Sequence, residues 1–266
     1  MGIDEATFAR IHGAEFQDEV FLDASLAARG TAPDFGVWNE YERWFPPGPI
    51  LEIGPGSGHL LAAIAAHREQ VFAIETSATH RSYIEKTWGI SAIYEDLSEL
   101  PPQVRFAGVV MINTVEHVYD VHALFERLRR ILAPGGVVAL SAPNAGAAIT
   151  RVVGTMWSMY KTPDHVSFPS KDGLARLAER SGLRVRACWT GELPHESIAG
   201  LAVAARDFLA ERRPVAARAG EHDARPRLSE GARSRRLSLR ALPDPIGPLL
   251  SRAGLAGSIK AVLAKP

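Results

Sequence analysis

The run Glu52-Ile53-Gly54-Pro55-Gly56-Ser57-Gly58-His59-Leu60 constrains this chain more than any other segment. Ile50-Leu51-Glu52-Ile53 reads as a short buried strand, and the stretch from about His59 to His67 reads as a helix. Three glycines lie in the link between them. A strand that passes into a helix so abruptly needs a tight turn. Glycine makes room for that turn, and for a ligand, because it has no Cβ. The helix start adds unpaired N–H groups. Such a loop could cradle the pyrophosphate of a dinucleotide. The dinucleotide fingerprint, however, is G-x-G-x-x-G. Here the third glycine falls one residue early, at Gly58; His59 stands in its place, and an acid, Glu52, precedes the first glycine by two positions.

A carboxylate answers the loop. Glu75 closes a second apolar run, Val71-Phe72-Ala73-Ile74, 21 residues after Gly54. In doubly wound sheets an acid near that offset meets ribose hydroxyls, because its two acceptor oxygens match two vicinal donors. The alternation then continues. Ser77 to Trp88 reads as a helix, Ala92 to Tyr94 as a third strand, Phe106 to Ile112 as a fourth, Val121 to Leu132 as an amphipathic helix and Val137 to Ser141 as a fifth strand. A helix over Ser170 to Ser181, with Ser170 as its cap and Gly182 at its end, leads to a sixth strand, Leu183 to Trp189. Ser258 to Leu263 makes a final strand. Strands separated by helical stretches imply an α/β fold built from parallel βαβ units. Burial on both faces of such a sheet explains unbroken apolar runs such as Val109-Val110-Met111-Ile112.

The rest of the chain organises around this core as a single domain over 1–266. Residues 1–46 read as a helical N-terminal lid that Pro46-Pro47-Gly48-Pro49 stops. Residues 48–143 form the cofactor-binding core, and 144–170 a cap loop. Residues 171–266 complete the sheet, with a helix over Glu196 to Arg212 and a mobile insertion at 213–240 that is rich in Arg, Ala, Gly and Ser.

Composition narrows the function. Thirty basic residues balance thirty acidic ones, so no global charge draws the chain to nucleic acid or to an anionic membrane surface. The Arg-rich stretch from Arg212 to Arg240 lacks interleaved aromatics and carries acids, which makes it a solvated loop. The single cysteine, Cys188, excludes an internal disulfide framework and a multi-cysteine zinc site, and it fits a reducing cytoplasm. No apolar run is long enough to span a membrane. Met1 to Val20 lacks the basic-then-apolar pattern of a signal peptide.

Five elements in order carry a family resemblance: Leu51-Glu52-Ile53-Gly54-Pro55-Gly56-Ser57-Gly58; Glu75; Tyr94-Glu95-Asp96-Leu97; Asn113-Thr114-Val115-Glu116-His117-Val118; and Leu132-Ala133-Pro134-Gly135-Gly136. Over about Ile50 to Leu183 the chain resembles the class I S-adenosylmethionine-dependent methyltransferases, in the small-molecule branch that includes the ubiquinone-biosynthesis O-methyltransferases. The resemblance implies a Rossmann-like, doubly wound, seven-stranded, mostly parallel sheet whose last strand is antiparallel. It implies S-adenosylmethionine as cofactor, with Gly54, Gly56 and Gly58 under its methionine and ribose parts. Glu52 would lie near the methionine amino end and Glu75 at the ribose hydroxyls. Asp96 would meet the adenine amino group, the Leu97 amide a ring nitrogen, and the Asn113 carbonyl the methionine ammonium. Pro134-Gly135-Gly136 would turn into strand five. The implied partner is a small-molecule methyl acceptor, and a homodimer is compatible with the resemblance.

Two histidines are candidate catalytic bases: His117, at the end of strand four, and His165, in the cap loop. Imidazole suits the task because its ordinary pKa lies near 6.5, and both stand at the carboxyl edge of the sheet, where ligands of such folds bind. Glu116 and His117 could equally begin a helix. His117, Asp120 and His122 fit no standard metal spacing, so no metal is expected. Two other readings stay open: a dinucleotide-dependent oxidoreductase of similar topology, and a non-catalytic module that holds the cofactor.

Overall fold

The computed structural model describes residues 22–23, 26–27, 30–154, 157, 159–160, 165–191 and 247–266. The expected helix over Glu196 to Arg212, the 213–240 insertion and most of the lead-in before residue 30 lie outside the described residues. The chain forms two compact units. The first comprises Met1–Asn144, Lys161–Trp189 and Ile259–Pro266; the second comprises Ala145–Tyr160 and Thr190–Ser258.

In chain order the elements are α1 (Phe35–Tyr41), β1 (Ile50–Ile53), α2 (His59–Ala65), β2 (Val71–Ile74), α3 (Ala78–Trp88), β3 (Ile93–Tyr94), β4 (Phe106–Ile112), α4 (Val121–Ile131), β5 (Leu132–Pro143), α5 (Ala148–Val153), α6 (Lys171–Arg180), β6 (Arg184–Gly191), α7 (Gly247–Arg252) and β7 (Ser258–Ala264). Single 3-10 turns cover Glu42–Trp44, Leu97–Glu99 and Val115–His117. The seven strands form one sheet in the order β3-β2-β1-β4-β5-β7-β6. Pairings of β1 with β2 and β4, of β2 with β3 and of β4 with β5 are parallel. The strand order reverses between β1 and β4, and a ligand crevice forms beyond the carboxyl ends at such a reversal.

Side-chain alternation divides the core. Leu51 and Ile53 on β1, Val109 and Met111 on β4, and Val138 and Leu140 on β5 pack to one face with Phe125 and Leu128 of α4. Their neighbours Ile50, Val110, Val137 and Ala139 pack to the other, with Trp38 and Tyr41 of α1 and Leu60 and Ile64 of α2. Each such aliphatic chain contributes about 1.5–3 kcal/mol when fully buried. The aromatic lead-in is therefore core. Trp38 stacks on Phe45 with centroids 5.6 Å apart, and the Tyr41 hydroxyl donates to the Leu140 carbonyl at 3.2 Å.

Helix ends follow the sequence signals. Ser77 caps α3, Asp120 caps α4 and Ser170 caps α6, each by accepting an amide N–H. Two boundaries differ from expectation. The fifth strand begins at Leu132 rather than Val137, because Pro134-Gly135-Gly136 is absorbed as an irregularity within it: Phe106 pairs with Leu132, and the register shifts before Gly108 pairs with Val137. The segment read as a cap loop contains α5, a short helix ended by Gly154 at φ +56°, too brief to show a helical period in the sequence. Among the described residues no helix is long and apolar enough to cross a membrane.

Candidate functional site

The glycine loop leaves β1 in left-handed steps. Gly54, Gly56 and Gly58 have φ of +72°, +56° and +78°. The Gly54 amide donates to the Ile74 carbonyl at 2.9 Å, and Thr114 Oγ1 donates to the Ile53 carbonyl at 3.0 Å, so β2 and the end of β4 hold the turn. A Cβ at Gly58 would stand 2.9 Å from Ile84 Cγ1 and 3.0 Å from Trp88 Cδ1, so here the missing side chain admits α3. A Cβ at Gly56 would meet nothing within 4 Å. That position faces open space.

Glu75 stands opposite. It is 5% exposed, and a buried carboxylate needs partners. Its Oε2 accepts the Gly56 N–H at 3.1 Å and its Oε1 the Ser77 N–H at 2.9 Å. His80 Nδ1 lies 3.8 Å from Oε2. His80 sits in the first turn after the Ser77 cap, three residues on, and that spacing is the sequence signal that places it beside Glu75. Glu52 is also buried, in the middle of the sheet between Ala73 and Val110.

Asp96 caps the 3-10 turn that starts at Leu97. Its Oδ1 accepts from the Ser98 amide at 2.8 Å and from Arg127 Nη2 at 2.8 Å; Arg127 Nη1 reaches Oδ2 at 3.4 Å. The Arg127 hydrogen bond holds the carboxyl far below the usual carboxylate range, although the group is half exposed. Neighbouring Glu95 pairs with Arg81 at 3.2 Å. Arg127, on α4, was not anticipated from the sequence.

β4 ends in strain. Asn113 has φ +53°, in the left-handed region where Asn is tolerated better than most residues. Its amide donates to the Ser141 carbonyl at 2.9 Å, and Ser141 Oγ lies 3.4 Å from its Oδ1. Such a backbone costs of order 1–3 kcal/mol and clusters at ligand sites.

The two candidate bases meet. Val115–His117 forms the 3-10 turn after β4, and the amides of Val166 and Ser167 donate to the Glu116 carbonyl at 2.8 and 3.0 Å. Ser167 Oγ adds a bond to the Val118 carbonyl at 3.0 Å. This zipper sets the rings of His117 and His165 edge to face, with centroids 4.7 Å apart and planes at 85°. Glu116 joins them: it is 1% exposed, and ligand atoms of Glu116, His117 and His165 all lie within 4.8 Å of one another. Asp120 and His122 are used elsewhere, Asp120 as the cap of α4 and His122 beside Glu126 at 3.7 Å.

A glycine loop after the first strand, an acid closing the second and the strand order 3-2-1-4-5-7-6 define a Rossmann-like α/β ligand-binding domain. A methyltransferase-domain family profile matches residues 39–187, more than half of the chain, and the chain belongs to that family. A ubiquinone biosynthesis O-methyltransferase of Bradyrhizobium sp. (strain ORS 278) is 28% identical over 153 residues, covering 50% of this chain and 60% of that relative. A probable S-adenosylmethionine-dependent methyltransferase of Mycobacterium tuberculosis is 26% identical over 133 residues, covering 45% of this chain and 48% of that protein. The chain thus spans about half to three fifths of the lengths of these relatives. Among solved structures, a SAM-dependent methyltransferase from Archaeoglobus fulgidus superposes with a TM-score of 0.57 at 16% identity, covering 94% of this chain and all of that one. A cyclopropane synthase from Mycobacterium tuberculosis does so at 0.54 and 17% identity, covering 87% and 84%. At these identities the likeness establishes the fold.

Proposed function

We propose that this chain binds S-adenosylmethionine at the carboxyl edge of β1 and β2 and transfers its methyl group to an oxygen or carbon of a small, partly hydrophobic metabolite. The observation that carries the reading is the joint between the Gly56 amide and the buried Glu75 carboxylate. It sets two acceptor oxygens beside a loop position that faces open space. The names of the curated relatives support the same reading.

In this proposal Gly54, Gly56 and Gly58 run under the methionine and ribose, and Glu75 takes the ribose hydroxyls. Glu52 and the Asn113 carbonyl serve the methionine amino end. Asp96, held by Arg127 with an acceptor site left on Oδ2, takes the adenine amino group, and the Leu97 amide a ring nitrogen. When bound, S-adenosylmethionine supplies an electrophilic sulfonium methyl. The chain's own task is placement and proton removal. Holding nucleophile and methyl in line, with water excluded, supplies up to about 7–11 kcal/mol. His117 or His165 takes the acceptor's proton, and the carboxylate of Glu116 beside both rings favours the imidazolium that forms.

The test is calorimetry with S-adenosylhomocysteine and with NAD, followed by methyl transfer across metabolite pools. Binding of the first ligand and labelled product are expected. Binding of NAD alone would make the chain an oxidoreductase, and binding without product a non-catalytic module. A second reading rests on the trio of one carboxylate and two imidazoles, which also forms a donor set for a divalent cation. Activity lost to a chelator and restored by added Mg²⁺ or Zn²⁺ would assign the trio to a metal; activity that survives the chelator would remove the metal reading and leave proton transfer to the histidine variants.

A further inference from the structure

The glycine loop carries one side chain with hydrogen-bonding groups, Ser57, and both ends of that residue are tied down. Its carbonyl accepts from Trp88 Nε1 at 2.9 Å. Its hydroxyl lies 2.8 Å from His59 Nδ1. The opposite ring nitrogen, His59 Nε2, lies 2.9 Å from the Gly30 carbonyl. A carbonyl only accepts, so Nε2–H donates to it, and in that tautomer Nδ1 accepts the Ser57 O–H. The imidazole is 2% exposed and meets the Trp88 ring edge to face, centroids 5.6 Å apart. The His59 backbone takes part as well: its carbonyl accepts the Asp34 amide at 2.9 Å. Asp34 in turn caps α1 by accepting the Val37 amide at 3.1 Å.

His59 therefore grips the Gly30–Asp34 strap at both ends and the loop in the middle. A glycine turn needs none of this. Position 59 is where the dinucleotide fingerprint has its third glycine, and this chain spends it on an imidazole bridging two segments. A ligand that fixes Gly56-Ser57-Gly58 also holds the Ser57 hydroxyl against His59 Nδ1, and through the ring it steadies the hydrogen bond from Nε2 to Gly30. Coupling of this kind is reciprocal: whatever the ligand adds to the strap, the strap adds to the ligand.

We propose that His59 is a positioning residue that couples occupancy of the cofactor loop to the closure of the Gly30–Asp34 strap. The inference rests on the reading of the loop as the S-adenosylmethionine seat. Its effect is a tighter cofactor complex and a strap that loosens when the cofactor leaves, with His59 touching no reacting atom.

The experiment pairs calorimetry with S-adenosylhomocysteine and hydrogen exchange at the Asp34 amide, in the full chain and in three variants. In the native chain the ligand is expected to slow exchange at Asp34. His59→Ala is expected to weaken binding about tenfold, within the range common for coupled sites, and to abolish the slowing. His59→Asn keeps a polar group near the Nδ1 position, and so the Ser57 contact. It is expected to recover most of the affinity while leaving Asp34 indifferent to ligand. His59→Gln keeps a donor near the Nε2 position, and so the Gly30 contact. It is expected to keep Asp34 protected whether or not ligand is present. A melting temperature lowered in all three variants, with native affinity and native ligand-dependent protection, would overturn the coupling and leave His59 a packing residue. Absence of binding to the native chain would instead overturn the cofactor reading.

Discussion

The amide of Gly56 donates to the carboxylate of Glu75 at 3.1 Å, across 19 residues of chain. The bond joins the turn after β1 to the end of β2, and the second carboxylate oxygen holds the Ser77 amide at 2.9 Å. Glutamine at position 75 would present one oxygen and one NH₂ to two N–H donors, so one of them would face another donor. Glu75→Gln is expected to cost about 1–3 kcal/mol of stability, the penalty for a buried donor left unsatisfied. It is also expected to weaken S-adenosylhomocysteine binding by about 10- to 100-fold, as loss of a charged hydrogen-bond partner does. Chemical denaturation and calorimetry read the two effects separately. Unchanged affinity would remove Glu75 from the site.

Gly56 and Gly58 share a backbone conformation and differ in what lies above them. Alanine at either pays for φ near +60 to +80°, about 1–2 kcal/mol. At Gly58 the new methyl also presses on Ile84 and Trp88, which adds about 1–3 kcal/mol of overpacking. Gly58→Ala is expected to melt several degrees below Gly56→Ala. Gly56→Ala, whose methyl projects into open space, is expected to show the larger loss of ligand affinity for its smaller loss of stability. The reverse order in both measurements would show that the cofactor lies elsewhere.

Much of this arrangement was legible in the residues because it follows local rules. β1, β2 and β4 fall where their apolar runs fall, and Ser170 caps α6 as its position before the helix requires. The strand irregularity at Pro134-Gly135-Gly136 was misplaced as a turn because a proline with two glycines signals both, and only the pairing of Leu132 with Phe106 decides between them. The partners of the site residues were not legible. Arg127 reaches Asp96 across 31 residues, and His165 reaches His117 through backbone bonds to Glu116. Such contacts belong to the packed fold and leave no periodic trace in the sequence.

His117 and His165 lie 48 residues apart in the sequence, and the zipper from Val166 and Ser167 to Glu116 brings them into ring contact. If one removes the acceptor's proton, its replacement by Gln is expected to lower kcat by about 10²–10⁴-fold, the usual contribution of general base catalysis. Binding of S-adenosylhomocysteine is expected to stay native, because neither ring belongs to the glycine loop or to Glu75. Glu116→Gln is expected to give a smaller loss and to shift the pH profile, since it removes the charge beside the imidazolium. Turnover unchanged in both histidine variants would leave placement alone as the source of rate.

Tyr41 gives the fold an alkaline limit. Burial, with the Glu40 carboxylate alongside, pushes its phenol well above the ordinary value of 10.0. A group that must stay neutral in the fold, and ionises more readily once unfolded, contributes stability that is fully present below about pH 10 and is lost as pH rises beyond it. Tyr41→Phe keeps the ring in the core and gives up the hydrogen bond to the Leu140 carbonyl, at a cost of about 0.5–1.5 kcal/mol near neutrality. The variant is thus expected to be the less stable protein at pH 7, and to lose less stability than the native chain between pH 10 and 11.5. Denaturation curves at the three pH values measure both halves of that statement. Parallel loss in the two proteins would show that the phenol ionises without leaving the fold.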